Sequence, residues 1–480
     1  MPDQTVPEQT GKFDELQNRL KAHQQEHVLQ FWDEISESQR KQLATQIDEL
    51  DLVQLDALIA GQDAKQDFAA MAQVADPPPS VDAEGSGANW TTTEARLRGE
   101  QAIRDGQVGA VIVAGGQGTR LGFPQPKGMF PIGPVSNRTL FQFFADRLIA
   151  IQQAYSVKIP LFVMTSEATD DETRAYFQEH NYLGLSPNDV VIFKQGTMPA
   201  VDAESGKLLL AKKDSLALSP DGHGGTVAAL QRSGCLQEAK ERGVRQLAYI
   251  QVDNPLAHLC DPTLLGHHLM AESEMTTQVI RKRYATERVG NVVSIDGKVH
   301  IIEYSDLPES AAEATDEEGQ LRLWAGNIAV HIIDVDFLQR VSDSSDALPF
   351  HRALKKVPYL APSGRLDNPA QPNATKFERF IFDLLPQAKN AFVVEVLPCQ
   401  GFAPVKNADG AATDTPSLAR RAISELHQAW IESSGGVVGS GVQVEINPRF
   451  AMNSGELSNK ISPKIRVETD RYFDTPIRMH

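Results

Sequence analysis

Residues 112–127 read Ile-Val-Ala-Gly-Gly-Gln-Gly-Thr-Arg-Leu-Gly-Phe-Pro-Gln-Pro-Lys. An apolar run, Val108 to Val113, breaks at Gly115-Gly116, passes Gly118 and Gly122, and closes on Lys127. Glycines let the backbone approach a ligand and adopt positive φ. Their bare N–H groups can cradle phosphate oxygens, and Arg120 and Lys127 bring positive charge to the same loop. Two cations in a glycine loop serve little structural purpose, so the segment reads as a nucleoside triphosphate site. Two better-known glycine loops do not fit. A P-loop needs Gly directly before its Lys and Ser or Thr after it, but Pro126 precedes Lys127 and Gly128 follows. A dinucleotide fingerprint needs its third glycine where Leu121 stands.

The elements that must hold this loop come from hydrophobic spacing. From Val108 onward, strands and helices alternate. Strands are expected over 108–113, 159–165, 190–194 and 247–252, and a helix over Leu140 to Ala154 capped by Thr139 with Gln142. Thr169 with Glu172 should cap the next helix. Such alternation implies a mostly parallel sheet with ligands beyond its carboxyl ends. The glycine loop, Gln195 and Asp253 all follow strands. Asp296-Gly297 signals a hairpin. Before this, residues 13–60 look helical: Phe13, Leu16 and Leu20 repeat at helical spacing, and Leu29, Trp32 and Ile35 continue the stripe. Ser36 with Gln39 can form a capping box. Residues 61–92 are rich in Ala, Asp and Pro and read as a linker or extended excursion. After Asn407 a helix and glycine-rich short strands, such as 441–446, suggest a small β-rich domain. The expected divisions are 1–93, 94–408 and 409–480, in an α/β protein.

At 480 residues with 41% hydrophobic content, the chain can bury a full core. Its net charge of −17 makes nucleic acid or an anionic membrane a poor partner, so an anionic substrate must meet a local basic pocket. Cys235, Cys260 and Cys399 form no C-x-x-C, which suggests neither a disulfide framework nor a zinc site. There is no apolar signal core, no run near the ~20 apolar residues of a membrane span, and no sign of an obligate protein partner. A reduced, cytoplasmic protein is the expectation.

Further motifs follow in order: Gln195-Gly196-Thr197-Met198-Pro199, 219–225 (SPDGHGG), Val252-Asp253-Asn254, Glu303-Tyr304, 325–329 (AGNIA), Lys376-Phe377-Glu378, and 402–407 (FAPVKN). With the glycine loop, they make the chain resemble the eukaryotic-type UDP-N-acetylglucosamine pyrophosphorylases of the UDP-sugar pyrophosphorylase family. The resemblance covers most of the chain and is weakest in the linker and the C-terminal tail. It implies a Rossmann-like nucleotide-diphospho-sugar transferase domain and a uridylyltransferase. UTP and a sugar 1-phosphate would give UDP-sugar and pyrophosphate by in-line attack on the α-phosphorus.

The resemblance also implies roles. Val113, Ala114, Gly115 and Gly116 should present backbone groups to UTP, and Gln195 should match the uracil edge. Gly222 should let backbone approach the base or ribose. Arg120 and Lys127 should stabilise the departing pyrophosphate, with Lys376 and Lys406 adding cations. Asp253 should hold Mg²⁺ against phosphate oxygens. His223, Glu303, Tyr304, Asn327 and Lys406 should form the sugar-phosphate side. His223 stands where the family usually carries Asn, and Gln400-Gly401 replace an acidic pair. The expected sugar is N-acetylglucosamine 1-phosphate, with the glucose and N-acetylgalactosamine esters as rivals. A UDP-sugar sensor without activity is the non-enzymatic alternative, and the retained cations speak against it.

Overall fold

Strand–helix alternation builds a ten-stranded sheet in the computed structural model, which describes residues 6–61, 67–344 and 348–474. In chain order its strands are β1 (Ser80–Val81), β2 (Val108–Val113), β3 (Leu161–Thr165), β4 (Val190–Lys194), β5 (Gln246–Gln251), β6 (Met275–Arg281), β7 (Asn291–Ile295), β8 (Lys298–Ile302), β9 (Ala325–Asp334) and β10 (Phe392–Glu395). The spatial order is β1-β10-β6-β9-β5-β2-β3-β4, with the β7–β8 hairpin attached to β9. Strands β5, β2, β3 and β4 run parallel, as do β1, β10 and β6, while β9 is antiparallel to both neighbours. This is the mixed, mostly parallel α/β sheet that the alternation implied. An apolar run such as β2 is what a strand covered on both faces requires. Asp296 and Gly297 turn β7 into β8 with φ of 50° and 75°, the left-handed pair of a tight hairpin. The Thr139–Gln142 capping box is present and opens the helix Leu140–Tyr155.

Several local expectations change. Gln24, at φ 58°, ends the first helix, Val6–Ala22. Leu29 and Trp32 sit instead on short 3₁₀ turns and Ile35 is extended, yet all three are buried. The spacing reported burial, not continuous helix. The Ser36–Gln39 capping box does open the helix Glu37–Asp48. Part of the expected linker is structured: Asp67 caps the helix Phe68–Val74, and β1 joins the sheet beside β10 after the prolines. Pro beside an edge strand is tolerated because no central ladder needs its missing N–H. Residues 62–66 of that segment lie outside the described residues. Thr169 does not cap the helix Asp170–Glu179, because its hydroxyl accepts from the N–H of Ser166.

The chain gathers into two compact units. One takes Met1–Gln66, Gly196–Gly225 and Leu348–Ile381. Its core joins Leu16, Leu20, Leu43, Ile47 and Leu55 to Val201, Leu210 and Phe377, so the N-terminal helices share their core with two later stretches. The other takes Asp67–Gln195, Thr226–Ala347 and Phe382–His480 and holds the sheet. Within it, the helix Pro416–Ser433 leads into short parallel strand pairs, including Val444–Ile446 with Arg471–Phe473. These close over their own apolar cluster of Ile431, Val444, Leu457, Val467 and Phe473. Among the described residues, no helix is long and apolar enough to cross a membrane.

Candidate active site

The order β4-β3-β2-β5 contains a reversal. The chain winds from β2 out to β4 on one side, then returns to place β5 on the other side of β2. At such a switch point the loops leaving the two central strands part and open a crevice at their carboxyl ends. The glycine loop leaves β2 there, and Asp253 follows β5. The loop is closed by Gly118 N–H to the Gln125 carbonyl (2.9 Å) and Lys127 N–H to the Gly116 carbonyl (3.0 Å). Gly128 lies so close to the Phe141 ring that a Cβ would come within 2.2 Å, which docks the turn Lys127–Met129 on the following helix. Lys127 Nζ stands 3.6 Å from Asp253 Oδ2, both side chains mostly covered. Arg120 is exposed on the turn Thr119–Leu121. Ala114 is buried, Val113 and Gly115 are half-buried, and Gly116 is exposed.

Gln195 follows β4 and its N–H donates to the Thr165 carbonyl at 2.9 Å. Its amide lies against Gly115, where a Cβ would come 3.0 Å from Nε2. Ser166 Oγ donates to the Gly115 carbonyl at 2.8 Å. Behind it, Thr165 Oγ1 donates to Asp170 Oδ1 at 2.6 Å, and Arg174 Nε donates to the other carboxylate oxygen at 2.8 Å. Burial favours the neutral acid, but the bonds from Arg174 and Thr165 outweigh it and hold Asp170 below the usual carboxylate range. Sequence reasoning missed Ser166 and Asp170; the signal was a Ser/Thr-rich turn directly after a strand.

Glu303 and Asn327 come together around Gly290. A Cβ on Gly290 would stand 3.3 Å from Glu303 Oε1 and 3.8 Å from Asn327 Cβ. Asn327 N–H donates to the Gly290 carbonyl at 2.8 Å, and its Oδ1 accepts from Ala329 N–H at 3.0 Å. Ala329 is at φ 55°, opposite a register shift between Gln278 and Val279 in β6. That irregularity is a bulge next to a functional candidate. Tyr304 beside Glu303 is exposed. Lys406 is half-buried. Its N–H and that of Asn407 both donate to the Asp414 carbonyl, at 2.8 and 3.0 Å. Burial pushes the Asp414 carboxyl up, against the pull of Lys406 and Arg283.

Gly222, His223 and Lys376 belong to the unit that holds the N-terminal helices, and they gather within it. Lys376 lies half-buried on the strand Ala374–Glu378. The chain just after it is zipped to the 221–224 turn: Arg379 N–H donates to the Asp221 carbonyl (2.8 Å), and Gly224 N–H to the Arg379 carbonyl (2.7 Å). A Cβ on Gly222 would meet that carbonyl at 2.4 Å. His223 Nδ1 accepts from Ile381 N–H at 3.2 Å, and its ring stacks on Phe380.

The family model described as UTP–glucose-1-phosphate uridylyltransferase matches residues 91–429. The chain is 39% identical to the UDP-N-acetylglucosamine pyrophosphorylase of Saccharomyces cerevisiae over 75% of this chain and 77% of that protein. It is 35% identical to UDP-N-acetylglucosamine diphosphorylase 2 of Arabidopsis thaliana, over 92% and 90%. Among solved structures, the uridine diphosphate N-acetylglucosamine pyrophosphorylase of Trypanosoma brucei superposes with a TM-score of 0.80 at 25% identity, over 96% of this chain and 98% of that one. A putative UDP-N-acetylglucosamine pyrophosphorylase from Entamoeba histolytica gives 0.75 at 29%, over 83% and 100%. A glycine loop and an acidic strand end meeting at the switch point are thus carried by a chain that belongs to the UTP–glucose-1-phosphate uridylyltransferase family of nucleotidyltransferases.

Proposed function

We propose that this uridylyltransferase joins UTP to N-acetylglucosamine 1-phosphate, releasing pyrophosphate. The choice of the N-acetyl sugar is supported by the names of the relatives and by Asn327, whose amide can meet an acetamido group. The observation that carries the site assignment is the Lys127–Asp253 pair, 3.6 Å apart, where the glycine loop closes. A phosphate oxygen of the sugar ester attacks the α-phosphorus of UTP in line. The bond to the bridging oxygen breaks, and the β- and γ-phosphates leave together. Nothing on the protein becomes covalent, so catalysis is positioning and charge neutralisation. In this reading Val113, Ala114, Gly115 and Gly116 offer backbone groups to UTP, and Gln195 bonds the uracil edge. Arg120, Lys127 and Lys406 offset developing phosphate charge, while Glu303, Tyr304 and Asn327 receive the sugar. Gly222, His223 and Lys376 keep the roles expected of their motifs.

Asp253 is the carboxylate we assign to a divalent ion. Mg²⁺ is commonly held by one or two carboxylates together with substrate phosphates and water. Among the described residues no three His, Cys, Asp or Glu side chains gather around a cation site. A lone carboxylate beside the glycine loop, 3.6 Å from Lys127, fits an ion shared with substrate, with Asp253 as its protein ligand. Bound there, Mg²⁺ would neutralise charge on the phosphate oxygens.

Pyrophosphate release from UTP with Mg²⁺ and a panel of sugar 1-phosphates tests the reading. The highest kcat/KM is expected with N-acetylglucosamine 1-phosphate. A marked preference for glucose 1-phosphate would overturn the sugar assignment, and no release with any ester would overturn the reaction.

A further inference from the structure

The end of β5 is tied to the segment carrying Lys406 by hydrogen bonds that the proposed chemistry does not use. Asn254 is 3% exposed. Its Nδ2 donates to the Gly401 carbonyl at 2.8 Å, and its Oδ1 accepts from Ala403 N–H at 3.0 Å. One residue earlier, the Asp253 carbonyl accepts from Val405 N–H at 2.8 Å. Alternate residues 401, 403 and 405 are thus bonded to the Asp253-Asn254 pair. Lys406 is the next residue, and its own N–H is committed to Asp414. Only an amide of this length both donates to Gly401 and accepts from Ala403. Alanine makes neither bond, and an aspartate carboxylate makes only the second.

We propose that Asn254 is a positioning residue: its amide fixes the backbone at Lys406 relative to Asp253, so that the cation and the carboxylate of the site stand at one spacing before substrate arrives. The proposal rests on the role given to Lys406 above. Its physical basis is preorganisation, since charges that need not move when the reaction occurs stabilise it most.

The test uses the full-length protein carrying Asn254→Ala or Asn254→Asp, with thermal melting to establish that each is folded. The aspartate variant matches Asn254 in shape and carries the measurement if the alanine variant does not fold. Both are expected to lower kcat about 10- to 100-fold, the scale of a displacement near 1 Å, with KM for UTP within about threefold. In a Lys406→Ala background the same substitutions should cost almost nothing, because residues that act as a unit are not additive. An equal loss in both backgrounds would overturn the proposal. Amide hydrogen exchange at Ala403 and Val405 should speed up selectively. Unchanged exchange there overturns the clasp whatever the turnover. A wild-type protein releasing no pyrophosphate would instead sink the uridylyl-transfer reading, leaving the exchange result to decide the clasp.

Discussion

In the proposed reaction the chemistry turns on Lys127. Its backbone N–H closes the glycine loop, while its ammonium faces Asp253. Lys127→Ala keeps the first function and deletes the second. It should lower kcat roughly 100-fold or more, as loss of one preorganised charge at a developing anion does, while UTP still binds. Single-turnover pyrophosphate release with calorimetric UTP binding separates the two, and unimpaired release would remove Lys127 from catalysis. Asn327 makes a sharper claim about substrate. Asn327→Asp keeps the acceptor for Ala329 N–H but loses the amide donor. KM for N-acetylglucosamine 1-phosphate should rise about tenfold, the cost of one lost hydrogen bond to substrate, with little change for glucose 1-phosphate. A parallel rise for both sugars would mean the residue only shapes the bulge. Lys127, Asp253 and Asn327 stand out in the sequence as candidates because their types announce chemistry and their neighbours form motifs. Gly290 and Ser166 were not, since one acts by lacking a side chain and the other by holding the Gly115 carbonyl from 51 residues away.

Elements were legible where local physics decides them. Strands β2 and β4 fall where apolar runs predict, and the Asp296-Gly297 hairpin falls where its turn chemistry predicts. The spacing of Leu29, Trp32 and Ile35 misled because irregular turns can bury the same faces as a helix. Strand β1 was invisible because its residues become a strand only by pairing with β10, more than 300 positions on. The helix Pro416–Ser433 carries a pH-sensitive contact that no pattern foretells. His427 is buried, and its Nδ1 accepts the Ile446 N–H at 3.1 Å. Burial pushes its pKa down to about 4, against a partly opposing backbone bond at Val444. The folded state therefore holds the ring neutral, while the unfolded chain protonates near 6.5. Stability from this residue is complete above about pH 6.5 and is lost as pH falls towards 4, by up to about 3 kcal/mol. Thermal melting across this range should show that slope for the native chain and a flatter one for His427→Gln. Equal slopes would mean other groups govern acid sensitivity.

The whole chain carries a net charge of −17, whose self-repulsion opposes compaction, and short-range bonds offset it. The C-terminal strands show how. Glu445, 2% exposed on the strand Val444–Ile446, accepts from the N–H groups of Val135 and Ser136 at 2.9 and 2.7 Å and from Ser136 Oγ at 2.6 Å. Gly133 in the same turn has no room for a Cβ, which would come 2.4 Å from Ser136 Oγ. Two residues on, Asn447 Nδ2 donates to Asp146 on the helix Leu140–Tyr155 at 2.9 Å. The last stretch of chain is thus bolted onto the turn that joins the Lys127 segment to that helix. Glu445→Ala leaves half-buried donors at Val135 and Ser136 without their acceptor, each costing less than the about 1–3 kcal/mol of a fully buried unsatisfied group. A total of about 1–3 kcal/mol is expected, read as a fall in the urea midpoint with an unchanged m-value. Glu445→Gln keeps an acceptor and should lose less. If the bolt also steadies the Lys127 turn, Glu445→Gln will lower kcat at temperatures where it is fully folded, and Lys127→Ala will abolish that difference. A stability loss with kcat untouched would confine Glu445 to holding the C-terminal strands in place.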